Sequence, residues 1–549
     1  MKKILILLIA GMLTAPLCCQ KLLTRAEQSD FKSTSTFGEV MQFMTALTEE
    51  HVNARMDYIA RSIEGRDLPL VVIADPLPPS HASLEKDERI VVYLQANIHA
   101  GEVEGKEATQ MLARDLLSSD LPEKILENVI VLICPIVNPD GNEKFSTENR
   151  TKQNGPVNGV GVRYNGQYLD MNRDAVKLET PELRGVVTEI FNKWDPAITV
   201  DCHTSNGSFH EEAVTYTWMV NPNGPRTLIN YMRDRMMPAV HDTLRDKYGV
   251  ENIFYGEFVD QLAMEKGWIY DASGLRYMVN YAGLRNRLAI LNENYVYADF
   301  KTRVEGCYHL LVSILEYAAE HGQEINSMLK ETDLWYANRH TNMPVADSFA
   351  IEYKVGPTPE KITIKAIETD TIPGVQGYWR YRQGEGRFTI SVDYLADYYP
   401  TASVKIPFAY ILPVPDPDVL DLLLTHGIRL ERLDRETTLA VERFNISSFE
   451  GGSSPFQGHY LTRISGEFEP VSITFPEGTY LVRTAQPLGN LAVYLMEPQS
   501  DDGLLTWNFF DRYIVQQWDP EFNPYPVYRL MPVTPLESSV EVPAALNSP

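Results

Sequence analysis

The chain has 549 residues, 44% hydrophobic, 22% charged and 10% aromatic, the composition of a folded globular protein with more than one domain. Its 49 basic and 74 acidic side chains leave a formal charge of −25, which argues against nucleic acid as a partner and for an acidic, solubilising surface.

Lys2 and Lys3 precede an apolar run from Ile4 to Ala15, too short to span a bilayer and suited to an export signal over residues 1–20. No later stretch is apolar enough for an integral membrane segment once that signal is removed. Cys18 and Cys19 close the run. A lipoprotein is acylated on such a cysteine, but Leu17 stands where a small residue is usual, so lipid anchoring at the cell surface and simple export to the periplasm or medium both stay open. Cys134, Cys202 and Cys307 lie in apolar stretches and read as buried thiols rather than a disulfide framework.

Residues 36–50 have the pattern of an amphipathic helix, and Ser62 to Arg66 lead into a strand at 70–74. A β-branched run from Arg89 to Gln95 predicts a buried strand, 105–117 a helix and 129–136 a further strand. Asn138-Pro139-Asp140-Gly141 is a turn, and the Asn/Gly-rich 146–167 has no periodicity and reads as a functional loop. Helices follow at 181–193, 226–247 and 300–320, with strands at 197–201 and 288–292. This alternation predicts an α/β domain over 21–335, a mixed, largely parallel sheet flanked by helices. Beyond 335, period-two runs at 361–365, 387–392 and 471–475 predict a β-rich C-terminal region of one or two small domains, with one helix at 419–426 stopped by Gly427 and no motif that carries chemistry. Its aromatics, Trp379, Tyr381 and Tyr398 among them, suit a core as well as a sugar platform.

In sheets of this kind the site lies at the C-terminal ends of the strands. His99 and Glu102 follow the 89–95 strand on a tight turn, and imidazole with carboxylate is a donor set that zinc accepts. His321 and Glu324 repeat the spacing at the end of a helix, so spacing alone does not make a site. His203 closes another strand and completes a His₂Glu set with one position left for water. Glu293 ends a third strand, where a carboxylate can serve as general base. Arg173, beside Asn172 and three residues after Asp170, offers a planar fork suited to a carboxylate.

The ordered set resembles the zinc carboxypeptidase family, of which carboxypeptidase A is the familiar member, in an exported bacterial style. His99/Glu102, the 138–141 turn, Asp170/Asn172/Arg173, His203, the Tyr270-containing segment 269–274 and Glu293 occur in the family's order, over roughly residues 36–325. The resemblance implies one Zn²⁺ on His99, Glu102 and His203, with Asp170 orienting a ligand imidazole. It implies that Glu293 is the general base, that Asn172 and Arg173 hold the substrate's free carboxylate, and that Tyr270 closes over the bound ligand. The implied function is removal of C-terminal residues from peptides by a zinc-activated water. The place of the family's oxyanion-stabilising arginine is held by Gln153, which leaves Arg150, Gln153 and Arg163 as candidates. No room for a pro-domain is expected between the signal and residue 36. An amide hydrolase acting on peptidoglycan stem peptides or N-acyl amino acids, and a non-catalytic binding protein, are the other readings. Arg276, Tyr277, Arg285 and Arg287, between Tyr270 and Glu293, point to acidic or polar substrates. Nothing in the sequence fixes an oligomeric state.

Overall fold

Ten strands come from the described residues before 300: β1 (Ala54–Arg61), β2 (Asp67–Ile73), β3 (Ile90–Ala96), β4 (Val129–Cys134), β5 (Ile198–Thr204), β6 (Val214–Trp218), β7 (Asn252–Phe254), β8 (Glu257–Phe258), β9 (Trp268–Ile269) and β10 (Leu288–Asn294). The coordinates are a computed structural model that describes residues 21–541 apart from 119–120, 122, 206, 343–346, 378–379 and 517. The expected signal, with Cys18 and Cys19, and Trp379 lie outside the described residues.

Eight strands form one sheet in the order β1-β2-β4-β3-β5-β10-β6-β7. Its centre, β4-β3-β5-β10, is parallel, and β1, β2 and β6 bring the antiparallel pairings. Every residue of β3, β4 and β5 is buried, because helices cover both faces of a parallel sheet and leave no polar side to alternate. Strand β1 escapes the sequence pattern for the opposite reason: it is an edge strand, and its charged, half-buried residues read as loop.

The final helix of this half, Phe300–Ala337, runs well past the expected 300–320. Ile325, Leu329 and Tyr336 continue its buried stripe, and Gly322 allows close approach to Ile90. His321 and Glu324 therefore lie within the helix, 3.6 Å apart and partly exposed, as a surface pair. Cys134, Cys202 and Cys307 are buried and free, as expected. No described helix is long and apolar enough to cross a membrane.

The C-terminal region is packed into the first half rather than hung from it. β11 (Ser348–Thr371) and β12 (Tyr381–Lys405) form a long hairpin, and β12 pairs in parallel with β9 through Tyr394–Trp268 and Leu395–Ile269. A seven-stranded sheet follows between residues 409 and 540. The helix Gly489–Met496 is buried at every position and shares one apolar cluster with the 300–337 helix.

Candidate active site

Parallel strands deliver their C-terminal ends to one edge, and β3, β5 and β10 are neighbours there. The chain leaves β3 at Asn97, which takes the left-handed φ of +64° and turns its amide onto the Ala100 and Glu102 carbonyls at 3.2 and 3.1 Å. That turn presents His99 and Glu102. His203 stands on β5 in register with Glu293 on β10. At Gly101 a Cβ would meet Arg150 Cδ at 2.7 Å and the Gly161 carbonyl oxygen at 2.9 Å, so no larger residue fits beneath the arginine.

His99 Nδ1, His203 Nδ1 and Glu102 Oε2 form a triangle with sides of 3.0–3.1 Å. Each imidazole is fixed from behind: His99 Nε2 donates to Asp170 Oδ1 and His203 Nε2 to Asp201 Oδ2, both at 2.9 Å. Those bonds leave both Nδ1 lone pairs facing Glu102. Three buried acceptors converging on one point demand a cation, and this nitrogen–nitrogen–oxygen set, at separations near those around a tetrahedral zinc, fits Zn²⁺. The same demand appears in protonation. Burial works to lower the His203 pKa, but Asp201 and Glu102 outweigh it and raise it well above the ordinary value.

Two arginines compensate the carboxylates. Arg150 Nη1 bonds Glu102 Oε1 at 2.8 Å, and Arg163 reaches the same oxygen at 3.7 Å while pairing with Asp170 Oδ2 at 2.8 Å. Burial opposes ionisation of Asp170, yet His99, Arg163 and Arg173 hold its carboxyl well below the usual range. For Glu102, burial is outweighed by His99 and Arg150, with the same result. Glu293 is the exception. Burial pushes it up to about 8, with Glu102 adding to the rise and His203 opposing it. A carboxylate so poised beside a metal site has the character of a general base.

A cavity of about 260 Å³ opens on this edge, lined by His99, Glu102 and Glu293 together with Arg163, Asn172, Arg173 and Tyr270. Arg173 lies 4.5 Å from the Tyr277 ring centroid and donates to the Asn172 carbonyl at 2.8 Å, which holds its guanidinium in the wall. Asn172 Oδ1 accepts from Met278 N at 3.0 Å. Tyr270 is buried, its N–H on the Leu395 carbonyl at 3.0 Å and its carbonyl taking the Tyr398 hydroxyl at 2.9 Å. Gln153 is not in the cavity wall. Its Oε1 accepts from Arg150 Nε at 2.6 Å and its amide donates to the Gly101 carbonyl, so it aims Arg150.

The arginines between Tyr270 and Glu293 do not line the cavity and give no ground for expecting acidic or polar substrates. Arg276 pairs with Asp502, Arg285 with the His426 carbonyl and Asn192, and Arg287 with Asp195 and Asp333. Their partners are distant in sequence and invisible to spacing. The cavity instead carries Glu257 and Asp271. Burial raises the Glu257 pKa, and its carboxylate has no hydrogen-bond or ion-pair partner among the described residues. Asp201 was also missed, although its position two before His203 on a strand, which puts both on one face, would have revealed it.

The zinc carboxypeptidase family matches residues 40–217, a segment that includes His99, Glu102, Asp170, Asn172, Arg173 and His203. Carboxypeptidase 2 of Trichophyton tonsurans is 23% identical over 523 residues, 87% of this chain and 85% of that one. Carboxypeptidase 2 of Trichophyton rubrum is 23% identical over 543 residues, 91% of this chain and 88% of that one. Spans of this size take the likeness well into the C-terminal region. Among solved structures, carboxypeptidase A of Helicoverpa armigera has 18% identity and a TM-score of 0.40, covering 56% of this chain and 78% of that one.

Proposed function

For this zinc metallopeptidase of the carboxypeptidase family, we propose an exported enzyme that removes C-terminal residues from peptides, with residues 21–335 as the catalytic part and 336–549 as the accessory part. The observation that carries the reading is the triangle of His99, His203 and Glu102 acceptors, of which His99 and Glu102 line the cavity. Bound there, zinc would supply a Lewis acid for the scissile carbonyl and acidify water.

The chain's own residues supply the rest. Glu293 takes a proton from the attacking water and returns it to the leaving amine. Arg163, which lines the cavity, faces the charge that develops on the carbonyl oxygen, while Arg150, held by Gln153, neutralises Glu102. Arg173 and Asn172 receive the terminal carboxylate of the substrate, which limits cleavage to chain ends. Tyr270 and Tyr277 form the wall against which the terminal side chain packs. With Glu257 and Asp271 in that wall, a cationic terminal side chain is favoured over an acidic one. Export is supported by the apolar run that follows Lys2 and Lys3.

The test is the metal content of the purified protein beside His203→Ala, with release of the last residue from peptides ending in lysine, leucine or glutamate. One zinc per chain, lost in His203→Ala together with activity, and lysine released fastest, is the expected result. A zinc-free, inactive wild type would overturn the reading.

A further inference from the structure

The hairpin formed by Thr437–Gly451 and Thr462–Phe475 carries its connecting loop, residues 452–461, back to the catalytic edge. Two anchors hold that loop. His459 spans it, with Nε2 at 2.8 Å from Glu179 Oε1 and Nδ1 at 3.0 Å from Asn508 Oδ1. Phe456 lies 5.2 Å from the Arg276 guanidinium, which also stacks on Trp507 at 5.0 Å and pairs with Asp502. Arg276 is beside Tyr277, so this anchor grips the segment that lines the cavity.

Between the anchors, Gln457 adopts a left-handed φ of +52°. A non-glycine residue in that region costs roughly 1–2 kcal/mol and persists only where its surroundings enforce it. Here it aims the side chain: Gln457 Oε1 accepts the Asp170 N–H at 2.8 Å, across 287 positions of sequence. Asp170 needs such a hold. It ends the long 146–169 segment, which has no helix or strand of its own. Its carboxylate is tied to Asn172 N, Arg163 and His99, and its backbone N–H is tied to Gln457.

We propose that Gln457 is a positioning residue of the metal site: by accepting the Asp170 N–H it keeps the Asp170 carboxylate on His99 Nε2, and so lets the C-terminal region set how tightly the metal is held. The proposal rests on the zinc reading above. Partners of metal ligands contribute about 10- to 100-fold to metal affinity, and one step further out the low end of that range applies.

The experiment compares full-length wild type, Gln457→Leu, which has no acceptor, and Gln457→Glu, which keeps an oxygen at the same reach. Zinc affinity is read by chelator competition, hydrogen exchange is read over the peptide containing Asp170, and kcat and KM are read on one peptide. Gln457→Leu is expected to hold zinc about 10-fold more weakly, to exchange faster at Asp170 and to lose kcat with KM little changed. Gln457→Glu is expected to restore all three. A wild type that binds zinc while Gln457→Leu binds it equally well overturns this role and leaves the metallopeptidase standing. Equal weakening in both variants also overturns it, because the loop then acts by packing alone. A fast-exchanging Asp170 amide in the wild type does the same without any variant, and a wild type that takes up no zinc removes the reading on which the role depends.

Discussion

Charge is handled in opposite ways at the catalytic edge and along the 437–475 hairpin. Along the catalytic edge, Arg303 and Glu104 are paired with neither side chain exposed, and Arg303 also bonds the Asn154 and Gly155 carbonyls at 2.8 Å. Glu104 takes the Thr204 hydroxyl at 2.7 Å, so one buried pair ties β5, the 104–117 helix, the 300–337 helix and the 150–155 loop together. On the 437–475 hairpin, Arg443 and Glu469 meet at 2.8 Å with side chains 34% and 51% exposed. Water competes for the second pair and cannot reach the first. Burying charge is expensive, so where the chain does so repeatedly, as around Glu102, Asp170 and Asp201, the return is geometry: groups that cannot turn away from the point they face.

Substitutions can break that contrast. Glu293→Gln carries the largest effect, a fall of about 10²- to 10⁴-fold in kcat with zinc retained, because only the proton acceptor is removed; unchanged turnover would place the base elsewhere. Arg303→Ala leaves Glu104 buried and unpaired and is expected to cost about 3–5 kcal/mol in urea unfolding. A loss below 1 kcal/mol would mean that water fills the gap at little cost.

His426 lies between these extremes and adds a pH axis. It is buried at the junction of the two regions, with Nδ1 2.8 Å from the Tyr281 hydroxyl and Nε2 2.9 Å from the Val176 carbonyl. Burial lowers its pKa from 6.5 to about 3, with Arg285 adding to the fall. The folded side chain stays neutral while the unfolded one takes up a proton, so its contribution is complete above pH 6.5 and is lost as the pH falls toward 3. By about pH 4.5 the loss is roughly 2–3 kcal/mol. In His426→Gln the slope of unfolding free energy against pH over that window flattens, and an unchanged slope would mean that another group carries it. Arg443→Ala is the smallest case, with no measurable shift of the urea midpoint expected.

Sequence reading placed side chains where the structure has them when the placement is local. His99 and Glu102 share a turn, and His203 and Glu293 end apolar runs that only strands explain. It faltered where a side chain's role depends on a partner far along the chain. Gln153 holds the place where the resemblance leads one to expect an arginine, and nothing in the sequence says that its carboxamide holds Arg150. Arg285 and Arg287 resemble pocket residues until Asn192, Asp195 and Asp333 are found beside them. The same limit hid the C-terminal loop: 452–461 carries no motif, and its reach to Asp170 exists only once the hairpin is folded.

The strand order has a bearing on how the enzyme is made. β10 lies between β5 and β6, both synthesised before it, so the sheet cannot close until the last of these strands is inserted. The three zinc-facing residues all precede β10, whereas Glu293 rides on it. A chain still folding can thus bring His99, Glu102 and His203 together before Glu293, the proposed base, joins them on the closing strand.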